Sequence, residues 1–291
     1  MSVMPTIESM AAVVVEETLP LRVPEQVELD RIIRETRRQD ARKGLLLCLA
    51  LAVVLAAFYF CDLFDADRYR DMVRTLTTLL GDSLPPDFGR WRSWGRPLLD
   101  TVAMSVAGTI LGAAAALPLA ILGARNLVPR HFGAASRLFL DLLRSIPGVV
   151  WGVMFVAAVG FGPMPGVFAL ACHSTGMLGK FYSEIFEHVD PAPGAALRSQ
   201  GVSWLGVVRF SIFPQILPRL VDVTLYRWEH NLREATVLGL VGAGGIGLEL
   251  MTAFHLFEYR EALALILLLL VLVSLINGIS GRVRASFLAN D

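Results

Sequence analysis

Ionisable residues fall inside otherwise apolar stretches at Asp141, Arg144, His173, Lys180, Arg227, Glu229, His230, Arg233 and Glu234. Charges in such surroundings are rare and face a cavity or a partner. Most have a neighbour of opposite sign one helical turn away: Asp141 with Arg144, Lys180 with Glu184, Glu229 with Arg233, His230 with Glu234. Arg227 has no acid three or four residues to either side, and Asn231 shares its face. A guanidinium offers a planar, bidentate set of donors to an oxyanion that has shed its water. The chemistry expected is therefore anion binding along a path lined by Arg227, with help from Asn231 and from His173, which has Ser174 and Thr175 beside it. Arg144 is a weaker candidate, since Asp141 can neutralise it. The competing reading pairs Arg227 with Asp222 or with an acid on another helix.

Other chemistries fail on spacing. "VLGLVGAGGIGLEL" carries Gly242, Gly244 and Gly247 in the order G-x-G-x-x-G, with Glu261 downstream. A dinucleotide site needs a strand before that motif and a βαβ unit around it. Here an apolar segment precedes it and another follows at once. Gly242, Gly244, Gly245 and Gly247 are expected instead to pack helices closely or to form a gate near the outer mouth. "TGMLGKFY" lacks the first glycine and the Ser or Thr of a phosphate loop. Cys48, Cys61 and Cys172 are far apart and set in apolar runs, so neither a metal site nor a disulfide framework is expected. No nucleophile with a base beside it stands out, which argues against an enzyme.

The elements that must hold these residues are membrane helices. Of 291 residues, 55% are apolar and only 18% charged, below the roughly 25% of a soluble domain. Mean hydropathy is +0.58. Net charge is zero, which gives nucleic acid no bulk attraction. Residues 1–43 form a polar arm that ends in "RIIRETRRQDARK", and 44–61 is an uncharged run able to cross a hydrocarbon core of about 30 Å. Residues 62–97 mix charges with Trp91 and Trp94 and suit an interfacial segment. Further spans are expected at 98–122, at 138–161 broken by Pro147, at 164–185, from 217 into the glycine cluster, and at 262–280. This makes an all-α, polytopic membrane protein of about six transmembrane helices. Basic residues are denser on the side of the two termini, which places both in the cytoplasm.

The polar stretch 188–217 contains A-A-L-R-S-Q-G, nine residues, then S-I-F-P. This resembles the coupling loop of ABC-importer permeases, Glu-Ala-Ala, three residues, Gly, nine residues, then Ile-x-Leu-Pro. Gly201 and Pro214 match in type and spacing, and Ala196 matches the second position. Ala195 stands where the family has its acid, and Leu197, Ser211 and Phe213 replace other expected types. Together with "SLPPDFGRW", "GARNLVPR", "LRSIPGVVWGVMFVAAVGFGPMPGVFALACHSTGMLGK" and "TLYRWEHNLREATVLGLVGAGGIG", the loop is similar to the permeases of phosphonate importers, whose relatives handle phosphite or hypophosphite.

The resemblance implies a type I ABC-importer permease fold for 98–291. It also implies a second copy of the chain, two ATPase subunits that hold ATP and Mg, a periplasmic binding protein, and a bacterial inner-membrane location. In that reading Ala195, Ala196, Leu197, Arg198, Gly201 and Pro214 dock on the ATPase, and the chain itself carries no cofactor. The alternatives are an importer of the methionine or glycine betaine type and an ion-driven secondary transporter.

Overall fold

The computed structural model describes residues 23–288, and every regular element among them is helical. The chain divides into two compact units, residues 1–75 and 76–291. The part of the arm before residue 23 lies outside the described residues.

In the first unit, α1 (Val23–Phe60) is one helix of 38 residues. The basic segment and the apolar run expected after it are thus continuous from Val23 on. No Gly or Pro falls between Arg31 and Lys43 to interrupt them, and Pro24 sits in the first turn, where its missing N–H costs nothing. The helix ends at Asp62, whose φ is +54°. The next helix, α2 (Ala66–Ser83), is opened by Asp65, whose carboxylate accepts from the backbone N–H groups of Asp67 and Arg68.

In the second unit the order is α3 (Gly95–Gly123), α4 (Arg130–Ser145), α5 (Gly148–Val159), α6 (Pro163–Glu187), α7 (Pro191–Ser199), α8 (Trp204–Val207), a π-helical turn, α9 (Phe213–Leu238), a second π-helical turn, α10 (Gly245–His255) and α11 (Tyr259–Leu288). Helix α6 is central and packs on α3, α4, α5 and α9. Its tightest seam is with α3, which presents Gly108, Gly112, Ala116 and Ala120 at four-residue spacing, all buried. A Cβ on Gly112 would lie 2.6 Å from Ser174 Cβ, and one on Gly108 would lie 2.6 Å from Leu170 Cβ. Small residues at this spacing let two backbones touch, which is how helices associate where lipid removes the hydrophobic drive. Gly112→Val is therefore expected to lose the folded permease on mild detergent extraction, by overpacking of at least about 1–3 kcal/mol. Gly278→Val, at an open site on α11, should extract normally. Monodisperse yield on size-exclusion chromatography reads the difference.

Three helices are long and apolar enough to cross a bilayer, and two bent pairs could each supply one more. The expected six is not reached on that measure. The fourth expected span, α6, has 25 residues but carries His173, Ser174 and Thr175, which protein neighbours bury wholly or in part, and Lys180 and Glu184, which are about half exposed and lie 3.9 Å apart. The third span breaks by 84° between α4 and α5. Pro147 forces this, since it pushes Ile146 out of the helical region. The fifth bends by 59° at the glycine cluster and continues as α10, a helix that the sequence reading did not separate.

At that bend Gly242 has φ +100°, its carbonyl accepts from Gly162 N–H at 3.2 Å, and the Phe161 ring occupies the place of a Cβ. Gly244 and Gly245 also have positive φ, and Gly247 packs directly on the backbone of Gly239. Trp94, expected at the headgroups, is a core residue at 1% exposure. Its Nε1–H donates to Glu261, which also pairs with Arg90 at 3.1 Å.

Candidate functional site: a buried polar cluster and a helical loop

The polar residues of α9 meet those of α3 and α6 near the middles of all three helices. Asn231 Nδ2 donates to Thr109 Oγ1 at 2.8 Å and lies 2.9 Å from Ser174 Oγ. At 1.5 Å per residue, Thr109 is about 21 Å from either end of α3. Ser174 Oγ also accepts from Arg227 Nε at 2.9 Å, and Trp228 Nε1–H reaches Ser105 Oγ at 3.2 Å. Asn231, Ser174 and Thr101 on the same seam are wholly buried. The sequence reading placed Arg227 and Asn231 on one face, and the fold brings both to Ser174 of α6.

Arg227 is 4% exposed and has an acid after all. Its Nη2 donates to Glu234 Oε2 at 3.0 Å. That partner stands seven residues on, two turns along the same helix, beyond the one-turn window in which pairing was sought; Asp222 is not its partner. The Glu234 carboxylate lies against Gly148, where a side chain would collide with it. Gly148 opens α5, so this carboxylate sits beside the positive end of a helix dipole. His230 reaches the same carboxylate only at 3.9 Å.

The expected Glu229–Arg233 pair does not form. Glu229 instead accepts from Ser280 Oγ and from Arg284 Nη2 of α11, and Arg284 Nε also lies 2.6 Å from Asp222 Oδ1. Arg233 is left exposed, with no ion pair among the described residues. His173 Nδ1 lies 3.1 Å from the carbonyl of Ile146, which the break at Pro147 leaves without a helical donor. Arg144 stands apart, paired with Asp141 at 2.7 Å as expected. Beside it a polar cavity of about 310 Å³ is lined by Arg137, Asp141, Lys180 and Glu184.

The second candidate region is the loop 188–217. Asp190 caps α7 by accepting from Ala192 N–H at 2.9 Å, and Pro191 takes the first helical position. Gln215 bonds Asp190 in both directions, at 2.9 and 3.3 Å, which ties the loop to the first turn of α9 beside Pro214. Gly194 is buried against Val207 and Ser211, so α7 rests on its small face. Ala195, Ala196 and Arg198 are exposed, Leu197 is half-buried, and Gly201 turns the chain at φ +78°. Sequence reasoning missed Trp204 and Leu205, which are 72% and 73% exposed on α8. The signal was there, an apolar "WLGV" inside a polar loop with Ser203 as its cap.

Known proteins agree with this architecture. Residues 97–287 match the family described as "Binding-protein-dependent transport system inner membrane component". The phosphite transport system permease protein PtxC of Stutzerimonas stutzeri is 45% identical over 83% of this chain and 88% of its own. The putative phosphite transport system permease protein HtxC of the same species is 34% identical over 89% and 92%. Among solved structures, the inward-facing MetNI methionine ABC transporter superposes with a TM-score of 0.57 at 20% identity, over 67% of this chain and 95% of that one. A bacterial alginate ABC transporter gives 0.54 at 14% identity, over 85% and 99%. Identities this low speak for the fold alone, a type I ABC-importer permease. With two thirds of its length inside the family and a near full-length relative at 45% identity, the chain belongs to the inner membrane components of binding-protein-dependent transport systems, permeases that have no ATPase site of their own and work with an ATPase and a binding protein.

Proposed function

We propose that this chain forms the membrane pore of an ATP-driven importer for phosphite or a related phosphorus oxyanion such as a phosphonate or hypophosphite. The observation that carries the reading is the 45% identity to PtxC across 88% of that phosphite permease. The site supports it, since α9 concentrates guanidinium groups at mid-membrane, where an anion stripped of water needs them. In this reading the path borders α9; Arg227 and Asn231, expected to line it, are 4% and 0% exposed and stand behind that surface, with His173 and Arg144 on neighbouring helices.

Two copies of the chain enclose the path, with both termini in the cytoplasm. Two ATPase subunits hold ATP and Mg and grip the loop through Ala195, Ala196, Leu197, Arg198, Gly201 and Pro214. A periplasmic binding protein delivers the anion. The likeness to the methionine transporter is one of fold and selects no substrate.

The test is uptake by proteoliposomes that contain the permease, its ATPase and its binding protein. Radiolabelled phosphite should accumulate only with ATP inside the ATPase compartment, and excess methionine should not compete. Uptake of methionine or glycine betaine without uptake of any phosphorus oxyanion would overturn the assignment.

A further inference from the structure

Helix α9 carries three bases, Arg219, Arg227 and Arg233, and three acids, Asp222, Glu229 and Glu234. By count it is neutral, but the fold does not pair them one to one. Asp222 and Glu229 both turn to Arg284 of α11, and Glu234 turns inward to Arg227. Glu229 and Glu234 are thereby engaged on the buried side, while Asp222 stays 42% exposed beside Arg284. Arg219 and Arg233 remain on the exposed side, with no ion pair among the described residues.

The exposed side is a continuous stripe of Arg219, Tyr226, His230 and Arg233, at spacings of seven, four and three residues. It extends about 21 Å along the helix at 1.5 Å per residue. All four side chains can donate hydrogen bonds; Asp222, one turn from both Arg219 and Tyr226, is 42% exposed at its side chain and is held by Arg284, so the stretch from Tyr226 to Arg233 is the part without an exposed carboxylate. Arg233 is two residues from Asn231, which marks the middle of α3 and α6.

A charge facing lipid at that depth is costly and rare. Helices α3 and α11 obey that rule. Helix α11 carries no charge from Ala262 to Gly281 and exposes Leu270, Val271 and Leu275, and α3 exposes Ile110, Leu111 and Leu117. That rule turns the face of α9 with Arg233 toward water or a protein partner and away from lipid.

We propose that this stripe is the track of the transported anion. Arg233 receives the oxyanion at mid-membrane, His230 and Tyr226 donate to it in turn, and Arg219 takes it toward the cytoplasm. The unbalanced positive charge admits anions and excludes cations along the same face. Arg227, held by Glu234, lies behind the track and sets the position of α9. This deepens the oxyanion reading above and rests on it for the substrate.

Two measurements on the complete complex test the proposal. First, Arg233→Gln should lower phosphite uptake at least tenfold while the complex still assembles, and Arg233→Lys should restore part of it. Second, His230→Cys, with Cys48, Cys61 and Cys172 replaced by alanine, should react with water-soluble thiosulfonates. The anionic reagent should react faster than the cationic one, and Arg233→Gln should reverse or abolish that preference. Leu270→Cys on α11 should stay unreactive. Normal uptake by Arg233→Gln, loss of assembly in that variant, or an unreactive cysteine at 230 would each overturn the track. The labelling does not depend on which anion is carried. If the unmodified complex fails to import phosphite, the substrate assignment fails and the reagent preference alone judges the track.

Discussion

Leu205→Asp is expected to abolish ATP-driven uptake while leaving the permease folded in the membrane. The short helix α8 is seated by Val207, which is 1% exposed against Gly194 of α7, and is capped by Ser203. Trp204 and Leu205 point away from that seat and are almost fully exposed, next to the exposed Ala195 and Ala196. In the coupling role proposed above, this apolar pair inserts in a pocket on the ATPase subunit.

Buried anchors of this kind contribute about 2–4 kcal/mol each when truncated, which is roughly 30- to 1000-fold in affinity. A carboxylate must also be desolvated in the pocket, which adds to the loss. The anchors matter more here because Ala195 occupies the place of the family's glutamate. This loop has no acid with which to hold its partner at that position, so shape and apolar area must supply the grip. The measurement is co-purification of the ATPase with a tagged permease, together with uptake in proteoliposomes. Full co-purification with full uptake would move the coupling contact away from α8.

Much of this architecture was legible in the chain. The break at Pro147, the long helix over 164–185, the short helix of the polar loop and the turn at Gly201 follow from local chemistry, which acts within a few residues. Partnership between charges was not legible to the same degree. The Asp141–Arg144 pair forms as its spacing predicts, one turn apart on α4, although Lys180 of α6 lines the same cavity as Asp141. On α9 the spacing misled. Glu229 has Arg233 one turn away yet bonds Ser280 and Arg284, because α11 approaches that side and buries the carboxylate with its own guanidinium. Which of two available partners an acid takes depends on the neighbouring helix, and spacing along one helix carries no record of it. The same blindness hid Glu234 from Arg227 and, as a consequence, hid the exposed cation at 233. Helix α10 escaped for a related reason: its start is set by the backbone of the glycine cluster folding on Gly239, a contact between turns and not a pattern of side chains.

The pairing of Arg227 with Glu234 leads to the second large effect. Glu234→Gln should destabilise the extracted permease by about 3–5 kcal/mol, because removing one partner leaves the other charge buried and unneutralised. Arg227 is 5% exposed at its side chain and Glu234 13%, so water cannot replace the lost carboxylate without opening the seam between α6 and α9. The Ser174 hydroxyl would still accept from Arg227 Nε, but a neutral acceptor does not balance a full charge. The double variant Arg227→Met/Glu234→Met removes both charges and keeps most of the volume, so it should lose far less than the single change.

The ordering of the two, read from thermal unfolding in detergent, separates a buried ion pair from simple packing. If packing alone held the seam, the double variant would be the worse of the two. Transport adds a second reading. The double variant should stay folded yet import more slowly than the unmodified complex, because α9 would lose the fixed point that aims Arg233 at the path. A double variant that transports at the full rate would show that the pair holds the helix bundle together and has no part in positioning the track.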